Sequence, residues 1–437
     1  MECHLQIFLE DTWRDCAIVT VSNPDLGGVN ARAMFEYDLP YVFDAGSEPV
    51  SLSFPIDTNL RMLDRWPGFL YDLIPQGSGR KYLLGQLKLG DDKAADFPLI
   101  CSGAFNPIGR VRVREAVEYF QAHIGRHDAD GMDQGLRFSA ILERGDAFAE
   151  RMMIQSMLAA GTTGVQGAAP KFLLTKDRAD LWHADGALPD SEAAQHFIVK
   201  LPRGKDAVDK KLLRNEAAYM RVAHEMGLRV EGAAEHHHDM LFVPRFDRAV
   251  RKGKVHRHHQ ESAAAVAGIV GFDARPTQFE LLHALRRVLD DKEADTLEFL
   301  KRDVLNLAMR NTDNHARNTA IQKIGKTVRL TPLFDFAPMY LDPDGIARTA
   351  RWYHSENRKE ISNWGDVIDA IDLAADERER IRTEMAAFGE KVLGLNEYLR
   401  RAGVDDDIIE HLQKSIDEQA RQLRDLASVM HSARVST

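Results

Sequence analysis

Short alternating and β-branched runs open the chain: HLQIFL from His4, CAIVTVS from Cys16 and AMFEYDL from Ala33, with the turn-prone NPDLGG between the last two. Period-two patterning with turn residues between runs predicts a small antiparallel sheet. From Leu60 to Leu87 the spacing turns helical, through LRMLDRWPGFLYDLIPQG and GRKYLLGQL, with Pro75 and Gly77 separating the two pieces. A strand at GRVRV, Gly109 to Val113, and two helices reaching Ala159 complete this region. Strands return at KFLLTK, HFIVKL and MLFVPRF, surrounding one long helix from Lys210 to Met226. Beyond about Thr277 the pattern is helical: Leu297, Leu300, Val304 and Leu307 mark a helix over 293–310, and a charged helix spans 405–432. No internal repeat is visible.

The 437 residues exceed one ordinary domain and are 44% hydrophobic and 28% charged, which excludes a disordered or collagen-like chain. Lys plus Arg number 57 and Asp plus Glu 67, a net −10, so counterion-driven attraction to nucleic acid is disfavoured. Three scattered cysteines, Cys3, Cys16 and Cys101, form neither a disulfide framework nor a thiolate zinc site. The acidic start is unlike a signal peptide, and the most apolar stretch, Ala263 to Phe272, is too short for a membrane span. The expectation is a soluble cytoplasmic protein with no membrane partner.

The polar octet Asn311-Thr312-Asp313-Asn314-His315-Ala316-Arg317-Asn318 follows directly on the amphipathic helix. Asp313 and Asn318 have the D-x-x-x-x-N spacing of a kinase catalytic loop, where the Asp accepts a hydroxyl proton and the Asn holds a metal ion. Such residues are also common in ordinary loops, because they bond locally to backbone. Downstream, Arg329-Leu330-Thr331-Pro332-Leu333-Phe334-Asp335-Phe336 ends an apolar run in one acid. An acid between two phenylalanines is awkward to solvate, and a magnesium ion, a helix cap or an ion pair would each satisfy it.

Upstream, Lys200 ends the apolar strand HFIVKL, and sixteen residues later Glu216 lies on the apolar stripe of the long helix, between Leu212 and Met220. A strand lysine paired with a helix glutamate positions ATP phosphates in protein kinases, and the order Lys, Glu, Asp, Asn, Asp is the kinase order. Ahead of that strand lies Gly161-Thr162-Thr163-Gly164-Val165-Gln166-Gly167-Ala168-Ala169-Pro170-Lys171, small residues that let backbone amides approach phosphates. It matches neither a Walker A sequence nor a GxGxxG fingerprint.

Five stretches together, FLYDLIP at Phe69, TGVQ…PK at Thr163–Lys171, IVKLP at Ile198, VPRFDR at Val243, and NTDNHARN followed by LTPLFDF, resemble the HipA family of serine/threonine kinases, toxins of bacterial type II toxin–antitoxin pairs. The resemblance implies an α+β, two-lobed protein-kinase-like fold. Its expected parts are an N-terminal subdomain (1–125), a small β-rich lobe with the glycine-rich loop (126–250) and a mainly helical catalytic lobe (251–437), with ATP between the lobes. It implies that Thr163, Gly164, Val165, Gln166, Gly167, Lys171 and Lys200 contact ATP phosphates and that Glu216 orients Lys200. Asp313 would be the catalytic base, His315 would brace its loop, and Asn318 with Asp335 would hold Mg2+. Pro244-Arg245-Phe246 resembles the adenine hinge, with Pro244 and Phe246 as contacts through backbone groups. Relatives often read S-x-S-G-V-Q-P-K; here Gly161 and Thr163 replace the serines and Gly167-Ala168-Ala169 is inserted, leaving Thr162 or Thr163 as candidate acceptors of a self-inactivating phosphate. The implied partners are a protein substrate, an aminoacyl-tRNA synthetase or other translation protein, and a HipB-like DNA-binding antitoxin through which alone DNA would be reached.

Two other patterns suggest chemistry. The histidine runs at 236–238 and 256–259 lack the convergent geometry of a zinc site and are expected on exposed loops. The stretch Arg245–His259 carries six cations against Asp247, a local +5 that reads either as a solvated hairpin or as a patch for a nucleic-acid-bearing partner. Two rival functions stay open: an ATP-binding regulator of little or no activity that binds an antitoxin, and a small-molecule kinase.

Overall fold

The computed structural model describes residues 1–124, 135–143, 170–204, 206–353 and 359–435. The predicted glycine-rich loop contacts Thr163, Gly164, Val165, Gln166 and Gly167 lie outside the described residues. The chain divides into two compact units: Met1–Arg203 with Glu235–Ala274 and Gln322–Lys326, and Gly204–Ala234 with Arg275–Ile321 and Thr327–Thr437.

The first unit contains two antiparallel five-stranded sheets. In one, β1 (Glu2–Leu9), β2 (Thr12–Val21), β3 (Ala33–Tyr37), β4 (Arg61–Leu63) and β5 (Val111–Val113) run in the order β4-β3-β2-β1-β5. Alternation decides its faces: Cys3, Leu5 and Ile7 of β1 and Ala33, Phe35 and Tyr37 of β3 are buried in a common core. In the other, β6 (Lys171–Asp177), β7 (Trp182–Ala184), β8 (Ala193–Lys200), β9 (Glu235–His237) and β10 (Met240–Pro244) run in the order β7-β6-β8-β10-β9. β11 (Arg248–Arg251) and β12 (Lys254–Arg257) form a hairpin.

Helical spacing over 60–77 misled. Arg61–Leu63 pairs with β3, and only a 3-10 turn, Gly68–Asp72, precedes the helix Gly77–Leu87. Phe69, Leu70, Tyr71, Leu73 and Ile74 are all buried, so this is a run enclosed on every side rather than a stripe, and Pro67 disfavours helix in the residue before it.

The two sheets share one unit because buried charges link the segment before β5 to the second sheet. Arg245, with no exposed side-chain surface, donates to Asp185 at 2.5 Å and to Asp247 at 2.6 Å. Asp185 also accepts from Asn106 at 2.9 Å, and Asp247 from the Gly109 N–H at 2.8 Å. The basic run is thereby largely neutralised. Arg245 and Arg248 are buried against Asp247, Arg257 pairs with Asp190 and Lys254 with Asp11. His236 and His237 lie half-buried in β9 rather than on loops, and His259 is buried against Glu261.

The second unit is mainly helical, with Ala207–Glu225, Gln278–Arg286, Lys292–Ala308, Trp364–Ala370, Ala375–Leu393, Leu395–Ala402 and Asp406–Val435. The helix Ala207–Glu225 belongs here because Arg221 donates to the Ala402 carbonyl, and Arg214 and Asn215 both bond to Asp405. Among the described residues no helix is long and apolar enough to cross a membrane.

Candidate functional site

The helix Lys292–Ala308 is started by Asp291, whose carboxylate accepts from the Ala294 N–H, and its stripe of Phe299, Leu300, Val304 and Leu305 is buried. It ends at a left-handed Arg310 (φ +53°), and the octet follows as irregular chain. There Asn318 N–H donates to the His315 carbonyl at 2.9 Å, and the Asn318 Nδ2 donates to the Asp313 carbonyl at 2.7 Å. Because its NH2 end is held, the Asn318 Oδ1 remains the acceptor end of the amide. His315 Nδ1 accepts from the Arg317 N–H at 3.2 Å, while its Nε2 stands 3.6 Å from the Asp313 carboxylate.

Asp335 sits at φ +50°, a left-handed conformation uncommon for a residue with a side chain. Phe336 beside it is fully buried, which fixes the backbone and aims the acid elsewhere. Strain of this kind concentrates at functional sites. Asp313, Asn318 and Asp335 line one small cleft of about 30 Å3, together with Asn311, Asn314 and Asp303. That is room for a water or a small ion.

Asn311 and Asn314 were not singled out from the sequence, although both lie in the octet. Each is buried with an Oδ1 that finds no hydrogen-bond partner among the described residues. A buried acceptor without a donor is costly, so a cleft lined by such oxygens and a carboxylate favours a cation or a water. Among the described residues no group of three or more His, Cys, Asp or Glu side chains gathers to hold a metal. With Asp303 committed to Arg348 and Trp352, the Asp335 carboxylate and the amide oxygens are a donor set that suits magnesium completing its shell with phosphate and water, not a protein cage.

Glu216 is buried on the helix Ala207–Glu225, and three residues on, Tyr219 is fully buried on the same face. The Tyr219 hydroxyl donates to the Met309 carbonyl at 3.0 Å, at the end of the helix that leads into the octet, and its ring lies 5.4 Å from that of Phe336. Burial pushes this hydroxyl well above the usual phenol range, so it stays a donor. One residue thus ties the Glu216 helix to both cleft segments; the i, i+3 spacing to Glu216 was the available signal. Tyr219→Phe is expected to leave the Met309 carbonyl unpaired and destabilise the fold by about 1–3 kcal/mol, read from the urea midpoint.

In the first unit Lys171 and Lys200 stand directly opposite each other on β6 and β8, both buried. Paired positions share a face, so two ammonium groups concentrate positive charge there. The expected hinge has a different character from its neighbours: Pro244 pairs with Phe197, and Arg245 N–H donates to the His196 carbonyl while its side chain is committed to the buried network.

Residues 163–392 match the family of the HipA-like C-terminal domain, and residues 25–114 match the HipA N-terminal domain. Among solved structures, the chain is similar to a Shewanella oneidensis MR-1 toxin–antitoxin complex of HipA, HipB and its operator DNA, at 16% identity and a TM-score of 0.63, covering 96% of each chain. It also matches a Helicobacter pylori proinflammatory kinase, CtkA, at 13% identity and a TM-score of 0.36, over 56% of this chain and 92% of that one, a likeness that defines no fold. No curated protein matches in sequence. The first likeness shows the expected α+β, kinase-type fold of HipA. With its C-terminal match covering more than half of its residues and the N-terminal match ahead of it, the chain belongs to the HipA family.

Proposed function

We propose that this protein is an ATP-dependent serine/threonine protein kinase that acts as a HipA-like toxin. The observation that carries the reading is the convergence of the loop pair Asp313 and Asn318 with Asp335, 17 residues further on, on one cleft lined by buried amide oxygens without hydrogen-bond partners among the described residues. Asp313 accepts the proton of the target hydroxyl as that hydroxyl's oxygen bonds to the γ-phosphorus of ATP, while the bond from that phosphorus to the β,γ-bridging oxygen breaks and ADP leaves. Asn318 and Asp335 hold Mg2+, which when bound neutralises charge on the phosphates. Lys171 and Lys200 attract the ATP phosphates, and Glu216 orients Lys200. The loop residues Thr163–Gly167 cover the phosphates, and backbone groups of Pro244 and Phe246 recognise adenine. His315 restrains Asp313.

The substrate we infer is a protein hydroxyl, with an aminoacyl-tRNA synthetase as the class the family suggests. A HipB-like antitoxin is the proposed partner, by analogy with the complex of the Shewanella protein. Nucleotide binding tests the reading first. Lys200→Ala is expected to weaken MgATP binding by roughly 10- to 100-fold, the size of a lost charge-assisted contact, in calorimetric titration. Equal affinity in wild type and variant would remove Lys200 from the site.

A further inference from the structure

Gln278 and Phe279, the first two residues of the helix Gln278–Arg286, line different cavities. Gln278 borders the cleft of Asp313, Asn318 and Asp335. Phe279 borders a second cavity of about 510 Å3, a size that holds small organic ligands. The two are consecutive residues, about 100° apart around the helix axis.

The second cavity has a definite chemistry. Phe279, His283 and Arg287 recur every four residues, so two rings and a guanidinium share one stripe of the helix. Leu282 and Ile371, both buried, supply an apolar floor. Arg286 is already committed: it pairs with Glu377 at 2.7 Å and donates to Thr296 Oγ1 at 2.7 Å, which braces the wall. Glu280 is likewise occupied, accepting from the Thr277 N–H and hydroxyl. Arg287 and Lys292 are exposed at the cavity and have no carboxylate partner among the described residues. Of the acids lining it, Asp372 alone stands against these two cations and His283.

We propose that this cavity is a second ligand site for a small organic phosphate bearing a planar ring, such as a nucleoside monophosphate. The ring lies against Phe279 and His283, where aromatic contact is favourable, and the phosphate meets Arg287 and Lys292. Its occupancy reaches the first cleft through a short path. The Phe279 ring lies 4.7 Å from that of Trp352, whose Nε1 donates to Asp303 at 2.8 Å, and Asp303 lines that cleft. The site stands whether or not Asp313 transfers phosphate.

Titration of the full-length chain with AMP and with inorganic phosphate, followed by calorimetry and tryptophan fluorescence, tests the assignment. AMP is expected to bind more tightly than phosphate and to change the fluorescence, the change being lost in Trp352→Phe. The double variant Arg287→Glu/Lys292→Glu, both at exposed positions, should weaken AMP at least roughly tenfold with an unchanged thermal melt. No AMP binding at millimolar concentration, or affinity that survives the double charge reversal, would each overturn the proposal.

Discussion

In a chain carrying Asp313→Ala, transfer of labelled phosphate from ATP into proteins of a cytosolic extract is expected to fall by roughly 10²- to 10⁴-fold, the usual contribution of a general base. Stability should hardly change. The Asp313 side chain is a quarter exposed, and the ion-pair distance to His315 is a long 3.6 Å. The bond that shapes the loop runs from Asn318 to the Asp313 backbone carbonyl, which alanine retains. A variant that keeps its urea midpoint and its MgATP affinity while losing labelled bands isolates the chemical step. Undiminished bands would show that another group takes the proton, and the kinase assignment would lose its base.

The cleft residues could be read in the sequence because each belongs to a short polar interruption of an apolar pattern. Asp313 and Asn318 interrupt the chain after a strongly striped helix, and Asp335 stands between two phenylalanines. Local pattern is visible to such reading; what a side chain meets from distant sequence is not. Asn314 looks like any loop asparagine until its Nδ2 is seen donating to the Ala350 carbonyl at 2.8 Å, with its Oδ1 buried in the cleft. Asp303 reads as a helix acid, yet it is buried beneath Trp352 and Arg348. The basic run 245–259 does form a hairpin, but charge alone can be counted from sequence: Asp185, Asp190 and Asp11, which pair with three of its cations, come from elsewhere. The longer strands were legible by alternation, whereas the short ones Trp182–Ala184, Glu235–His237 and Ala320–Ile324 were not, and at 60–77 burial on all sides erased the period.

The reassignment of Arg245 from surface charge to buried hub carries the largest stability effect. Burial alone would raise the Asp185 carboxyl, but Arg245, and then the bond from His196, more than offset it and hold the group well below the usual carboxylate range. Burial likewise tends to lower Arg245, and Asp247 and Asp185 hold it above its ordinary value. Arg245→Met, close in length but uncharged, should destabilise the fold by about 3–5 kcal/mol at pH 7, because buried Asp185 loses the cation bonded to it and Asp247 keeps only the longer contact to Arg248. The pH dependence fixes the cause. In the wild type the Asp185 contribution is present above its unfolded value of about 3.9 and is lost as pH falls through the lower folded value. Without Arg245, burial places the folded value above the unfolded one, so the folded form takes up a proton and the deficit shrinks as pH approaches 4. Urea midpoints measured at pH 7 and pH 4.5 should therefore converge between wild type and variant. Asp185→Asn added to Arg245→Met should recover part of the loss at pH 7, since it removes a charge the interior can no longer balance. A deficit equal at both pH values would mean that lost packing, not uncompensated charge, is what Arg245 prevents.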